Sequence, residues 1–231
     1  MNRYAIVLGG GSGTRMGAEH NKVLLPLRGV PCIVRAIAPF TALCNGVIVV
    51  ARAQEVALMR HVIDRFGLHQ AVLSIVAGGD DRQASVASGL AALPQHAEAV
   101  LIHDGARALV SEAVIRHVLA SIDAYGSGVA AVPVTDTIKR ADEEGRVLET
   151  LDRHMLSAMQ TPQGFLVRDI RHAHAVAQAD GYRATDDAAL MEHAGLPVRL
   201  CQGDQENIKL TTGFDLRVAE AILAAREEAE E

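Results

Sequence analysis

Short β-branched runs alternate along the chain with stretches in which apolar residues recur every three or four positions. Tyr4 to Leu8 (YAIVL) reads as a strand buried on both faces that ends in glycines. Pro31 to Leu43 can form a helix, with Pro31 tolerated in its first turn. Gly46 to Ala51 is a second strand, followed by a helix over Ala53 to Phe66, and Ala71 to Ala77 is a third strand. Asp80 or Asp81 then caps a helix in which Val86, Leu90 and Leu93 share one face. Ala99 to His103 is a fourth strand and Gly128 to Pro133 a fifth. Between them, after Ser111, lies a helix with Val114, Ile115, Val118, Leu119 and Ile122 in one stripe. This order predicts an α/β fold, a three-layer αβα sandwich around a mostly parallel, Rossmann-like sheet. Functional residues then belong at the carboxyl ends of the strands.

The pattern breaks at Val134. Residues 135 to 150 are polar and contain a turn at Asp142-Glu143-Glu144-Gly145, which reads as a projecting hairpin. Residues 134 to 154 are taken as an arm within a single domain spanning 1–231. Such an arm has little core of its own, so a second subunit is expected to cover it. Helix and strand signals resume from Val167 to Leu200, and Asp215 to about Glu228 closes the chain as a helix.

Composition narrows the partners. With 49% hydrophobic residues the chain can build a sizeable core, but aromatics are 3% and Trp is absent. That argues against a base-stacking platform for single-stranded nucleic acid. The net charge of −6, without a basic run, argues against a broad phosphate-backbone surface. No nucleic acid is therefore expected, and an anionic ligand would need a local cluster of Arg and Lys. Cys32, Cys44 and Cys201 share no metal-ligand spacing and read as small buried hydrophobes. The first strand begins almost at once, without a signal segment, and no apolar run reaches membrane length. A cytoplasmic protein that does not enter the membrane is expected.

The first strand runs into Gly9-Gly10-Gly11-Ser12-Gly13-Thr14-Arg15. Closely spaced glycines let main-chain N–H groups converge on phosphate oxygens. A dinucleotide fingerprint fails, because Met16 stands where the third glycine belongs and the second strand ends in Ala51-Arg52 without an acid. A Walker loop fails as well, since Lys22 lies between Asn21 and Val23. Glycines followed by Arg15 and Lys22 suit nucleotidyl or phosphoryl transfer, where catalysis is mainly positioning and charge stabilisation. Asp104, after the fourth strand, is a natural oxygen ligand for Mg²⁺ at the ligand-binding rim, with Arg107 three residues on. A turn or cap is the alternative for Asp104, and His103 reads as structural. Gly78-Gly79 leads into a helix whose start, with Ser85, can contact the polar edge of a base.

Eight blocks in order resemble the 2-C-methyl-D-erythritol 4-phosphate cytidylyltransferase family. They are GGGSGTRMG with the Lys22 block, GGDDRQASV, HDGAR, PVTDTIKR, TLDRHML, TPQGF, ATDDAAL and DQENIKLTT. The resemblance implies a fold of the nucleotide-diphospho-sugar transferase type. It also implies transfer of a cytidylyl group from CTP, with Mg²⁺ as cofactor, to methylerythritol phosphate. Arg15, Lys22 and Lys209 would be the catalytic groups. Gly9, Gly10, Gly11, Gly13, Gly79, Ser85, Asp104 and Gly105 would hold the nucleotide, Asp104 also serving Mg²⁺. Arg107, Thr137, Arg153, Thr161 and Thr185 would hold the acceptor, together with Lys209, and Arg153 would serve the neighbouring subunit of a homodimer. The chain departs from the family's usual pattern at Gly9 and Gly10, where alanines are common, and at Asn21-Lys22-Val23, where Pro-Lys-Gln is usual. It departs again at Ala108 and at Thr212-Gly213-Phe214, and keeps every charged catalytic group. Two rival readings are ribitol-5-phosphate cytidylyltransferase and a non-catalytic nucleotide-binding module. The PVTDTIKR and TLDRHML pairing favours methylerythritol phosphate over ribitol phosphate.

Overall fold

Seven strands form the main sheet of the computed structural model, which describes residues 1–10 and 21–229. In chain order the elements begin with β1 (Arg3–Leu8), the short pair β2 (Pro26–Leu27) and β3 (Val30–Pro31), and α1 (Cys32–Ile37). Then come β4 (Gly46–Ala51), α2 (Val56–Arg65), β5 (Val72–Ala77), α3 (Arg82–Ala91), β6 (Ala99–Asp104), α4 (Glu112–Tyr125) and β7 (Ser127–Pro133). The arm strands are β8 (Lys139–Ala141) and β9 (Val147–Thr150). The chain finishes with β10 (Ser157–Leu166), α5 (Val167–Asp180), α6 (Asp187–His193), β11 (Leu200–Gln202) and α7 (Gly213–Glu228).

The sheet runs β11-β7-β10-β6-β1-β4-β5. All neighbours pair in parallel except β10, which is antiparallel to both β6 and β7. Strict alternation sends the strand residues to two cores. Ala5, Val7, Val47, Val49 and Leu101 pack with Ile33, Met59, Val114 and Val118, from α1, α2 and α4. Tyr4, Ile6, Ile48, Val50 and Ile102 pack with Val86, Leu90, Ile170 and Leu190, from α3, α5 and α6. Three layers follow from this two-sided burial. A third cluster joins α7, through Ala219 and Leu223, to Leu27, Cys32 and Leu109.

Local chemistry sets the helix ends. Asp81 caps α3 by accepting from the Ala84 N–H (2.7 Å), and Ser111 caps α4. Helix α4 stops at Gly126, whose φ of 80° is left-handed backbone that glycine tolerates. Thr212 and Asp215 cap α7 reciprocally, which accounts for the departure at Thr212. The helix expected over Pro31–Leu43 is shorter: α1 ends at Ile37 and continues as a 3₁₀ turn over Ala38–Phe40, containing Pro39. Burial pushes the Cys32 and Cys44 thiols up to about 12, in keeping with inert core residues.

The strand β10 was not expected. Its buried positions include Gln160, Thr161 and Gln163, and Pro162 lies inside it, so it reads neither as an apolar run nor as an uninterrupted strand. Pro162 falls within the irregularity between Met159 and Gln163 in the pairing with β7. Gly164 lets α4 close on the sheet, since a Cβ there would lie 2.5 Å from Ile122. The arm is a two-stranded hairpin, turning at Gly145 (φ 81°), and every residue of β8 and β9 is exposed. Among the described residues no helix is long and apolar enough to cross a membrane.

Candidate active site

Strand pairing continues past the carboxyl ends of the central strands and lines up their exits. The Gly105 N–H donates to the Leu8 carbonyl (2.9 Å), Gly9 to Val50 (2.7 Å) and Gly78 to Ala51 (2.8 Å). Three glycine segments therefore stand side by side along one rim. Gly105 has no room for a side chain, because a Cβ would sit 2.8 Å from the Leu8 carbonyl oxygen. Gly79 is as tight, its Cβ position lying 2.4 Å from that of Ala84. Gly9 and Gly10 differ: neither has a positive φ, and the nearest atom a Cβ would meet is the flexible end of Met59 at 3.1 Å for Gly9 and the Arg52 main-chain nitrogen at 3.8 Å for Gly10.

Side chains hold that pair of glycines instead. The buried Asn21 donates from its amide to the Gly9 carbonyl and to Glu55 (2.7 Å), and accepts from the Val23 N–H (3.3 Å). Arg52 donates to the Gly10 carbonyl (3.0 Å) and lies 3.5 Å from Glu55. Lys22 follows directly, as the first residue of a 3₁₀ turn, and is half-buried. Gly11, Gly13 and Arg15 lie outside the described residues.

Asp104, the last residue of β6, sits at the middle of the rim. Its carboxylate lies 2.6 Å from Lys209 Nζ and 3.5 Å from Arg82 Nε. Burial opposes its charge, but Arg82, Lys209 and Arg107 outweigh that and hold the carboxyl well below its usual range. Arg82 reaches on to Asp187 (2.7 Å), which is fully buried at the start of α6. Burial pushes the Asp187 carboxyl up, against the pull of Arg82.

Beneath Asp104, the Thr161 hydroxyl accepts from the Asp104 N–H (3.0 Å) and meets His103 Nδ1 at 2.9 Å. His103 Nε2 lies 3.1 Å from the Arg107 carbonyl, so a neutral ring with the proton on Nε2 satisfies both contacts. Burial lowers its pKa to about 4, as that neutral form requires. Thr161, expected to hold the acceptor, is buried and has its hydroxyl engaged within the protein. Arg107, expected in the same role, uses its Nη atoms on the carbonyls of Asn207 (2.6 Å) and Met159 (3.3 Å), bracing β10 against the 203–211 segment. The buried Asn207 in turn donates to the Thr161 carbonyl (2.9 Å), and the Leu210 N–H to that of Ala106 (2.8 Å). Lys209 is aimed at Asp104 by these bonds on either side of it.

Ser85 donates to the Asp81 carbonyl (2.8 Å) on the first turns of α3, beside Gly78 and Gly79. Thr185 is exposed in the segment before α6, which Gln83 and Asp81 tie to α3 through Ala184 and Arg183. Thr137 and Arg153 stand exposed on the arm, Arg153 donating to the Thr135 carbonyl (2.7 Å). Arg82, Asp187, Gln163 and Asn207 were not singled out from the sequence. Each lies inside a motif block, but no spacing announces that those blocks meet.

No group of three or more His, Cys, Asp or Glu that could hold a metal occurs among the described residues. Asp104 is a lone carboxylate already facing two cations, which does not make a protein cage for Mg²⁺. One carboxylate does fit an ion that takes most of its oxygens from phosphates.

A mostly parallel sheet with a glycine rim, a central Asp–Lys pair and no dinucleotide fingerprint suits a nucleotidyltransferase, and comparison with known proteins settles the class. Residues 4–225 match the family model for 2-C-methyl-D-erythritol 4-phosphate cytidylyltransferase. A relative of that name from Geobacillus thermodenitrificans is 46% identical over 98% of this chain and 99% of its own. Another, from Parasynechococcus marenigrum, is 43% identical over 97% and 99%. The Thermus thermophilus enzyme superposes with a TM-score of 0.75 at 31% identity, covering 94% of this chain and 97% of that one. The 4-diphosphocytidyl-2C-methyl-D-erythritol synthase of Anaerococcus prevotii gives 0.84 at 26% identity, covering 96% and 98%. The chain belongs to the 2-C-methyl-D-erythritol 4-phosphate cytidylyltransferase family.

Proposed function

We propose that the protein transfers CMP from CTP to 2-C-methyl-D-erythritol 4-phosphate. An oxygen of the acceptor phosphate attacks the α-phosphorus of CTP, and the bond from that phosphorus to the β-phosphate oxygen breaks. The products are 4-diphosphocytidyl-2-C-methyl-D-erythritol and pyrophosphate. The carrying observation is the rim itself, where the exits at Gly105, Gly9–Gly10 and Gly78–Gly79 run along the sheet from the Asp104–Lys209 pair.

Gly10, Gly79 and Ser85 read the cytosine, largely through main-chain groups, while Gly105 lets the sugar approach. Arg15 and Lys22 stabilise charge developing on the transferred phosphorus, and Lys209 holds the incoming phosphate. Asp104 would take the ribose or help hold a Mg²⁺ ion bound to the triphosphate, which, when bound, would supply charge neutralisation for the leaving pyrophosphate. Thr185 and the outer edge of Arg107 face the acceptor. Thr137 and Arg153 complete it from a second subunit, because the 134–154 arm is the surface of a homodimer. Supporting that reading, Val147 and Leu148 on this arm and Met155 directly after it are 61%, 58% and 83% exposed in the single chain. The protein acts in the cytoplasm.

Pyrophosphate release with CTP and Mg²⁺, measured with methylerythritol phosphate and with ribitol phosphate, tests the assignment. Turnover on the first acceptor is expected. Turnover on ribitol phosphate alone would overturn the choice of substrate.

A further inference from the structure

Parts of three motif blocks have no evident place in the chemistry above: the two Asp of ATDDAAL, the Gln of TPQGF and the Arg of GGDDRQASV. The fold brings all three together. Gln163 Oε1 accepts from the N–H groups of Asp187 and Ala188 (both 3.0 Å), and its Nε2 donates to Asp186 (2.8 Å). This fastens the start of α6 to β10 and points Asp187 inward. Asp187, fully buried, takes Arg82 Nη2 at 2.7 Å, and its other carboxylate oxygen has no partner among the described residues. Arg82 then extends toward Asp104, where its Nε lies at 3.5 Å.

The two contacts of Arg82 are unequal, and the inequality carries the argument. A guanidinium beside one carboxylate adopts a two-pronged pair that occupies both oxygens. Here the short bond goes to the carboxylate that has no access to substrate, and only a long contact reaches the one at the rim. Asp104 is thereby held ionised while its side chain keeps some exposure at the rim, and Lys209 is its closest ion-pair partner among the described residues.

We infer that Asp187 is a positioning residue: it anchors Arg82 from behind, so that Asp104 stays open to the nucleotide. This rests on the assignment of Asp104 to the nucleotide but not on the identity of the acceptor. Without its anchor, Arg82 closes on Asp104 and competes with the ligand. Lysine at position 82 carries one ammonium on an unbranched stem and cannot span both carboxylates.

Calorimetric titration of CTP with Mg²⁺, without acceptor, tests this separately from turnover. D187N is expected to weaken CTP binding about tenfold, the scale of one charge-assisted hydrogen bond. In an R82Q background the same substitution should change binding less than about twofold, because Asp187 acts only through Arg82. Equal effects in both backgrounds, or unchanged affinity in folded D187N, would overturn the inference. If D187N does not fold, D187E, which keeps the charge but displaces it, takes its place in both backgrounds: CTP binding weakened with Arg82 present but not in R82Q supports the anchor, and unchanged binding with Arg82 present refutes it. A purely structural role would lower Tm while leaving CTP affinity intact.

Discussion

The two sides of the sheet bury different kinds of side chain. Strands β4, β1 and β6 fill both faces mainly with Val, Ile, Leu and Ala until β6 ends in buried His103 and Asp104, whereas neighbouring β10 buries Gln160, Thr161 and Gln163. The apolar side provides cohesion and sets the glycine exits in register. The polar side fastens what must be aimed: Gln160 and the Thr161 carbonyl hold the loop of Lys209, the Thr161 hydroxyl holds Asp104, and Gln163 holds Asp187. Stability and alignment are thus assigned to adjacent strands. A polar group inside β10 is retained because its partners lie in other elements, and apolar packing could not specify them.

Substitutions can break that division of labour. The largest effect is expected in the apolar side: Ile102→Ala should cost about 2–5 kcal/mol in denaturant unfolding. Leu148→Ala, on the exposed arm, should leave the stability of a dissociated chain unchanged but weaken self-association in sedimentation. Equal losses of chain stability would abolish the contrast. Next, Lys22→Ala should lower kcat by about 10² or more with little change in melting temperature. Near-normal kcat would remove Lys22 from the chemistry.

A pH titration sharpens the comparison on the polar side. His103 is held neutral, its pKa lowered from 6.5 to about 4 by burial. Between those values the unfolded chain binds more protons than the folded one, so stability falls as pH falls, by at most about 1.4 kcal/mol per unit. His103→Gln should flatten that slope in urea unfolding across the same window. Half-buried His174 adds a shift in the same direction, so some slope should persist. The smallest effect concerns Arg153→Ala, which should raise KM for the acceptor roughly tenfold and that for CTP much less. The reverse order would move Arg153 out of the acceptor site.

Legibility in the sequence follows the same line. Where both faces are buried, hydrophobic runs announce the strands, and the rim glycines and Asp104 follow from where those runs stop. On β10 the buried residues before Phe165 are polar or interrupt a pattern, so their positions are decided by partners distant in the chain. Arg82 is bound to Asp187, 105 residues away, and Asn207 to Thr161, 46 away. Local periodicity carries no trace of such pairings. Thr161 and Arg107 show the complementary difficulty: motif position brought them to the right region, but only geometry shows that they brace the site from within.

The hold on Gly9 and Gly10 has a dynamic consequence. A proline at position 21 would restrict the backbone by covalent geometry, whatever its neighbours did. Here the carbonyls of Gly9 and Gly10 are restrained by Asn21 and Arg52, and both of those side chains meet at Glu55. Order at the mouth of the nucleotide site is therefore conditional on the turn that opens α2. A fluctuation at Glu55 is therefore expected to loosen the tethers on both the Gly9 and Gly10 carbonyls together.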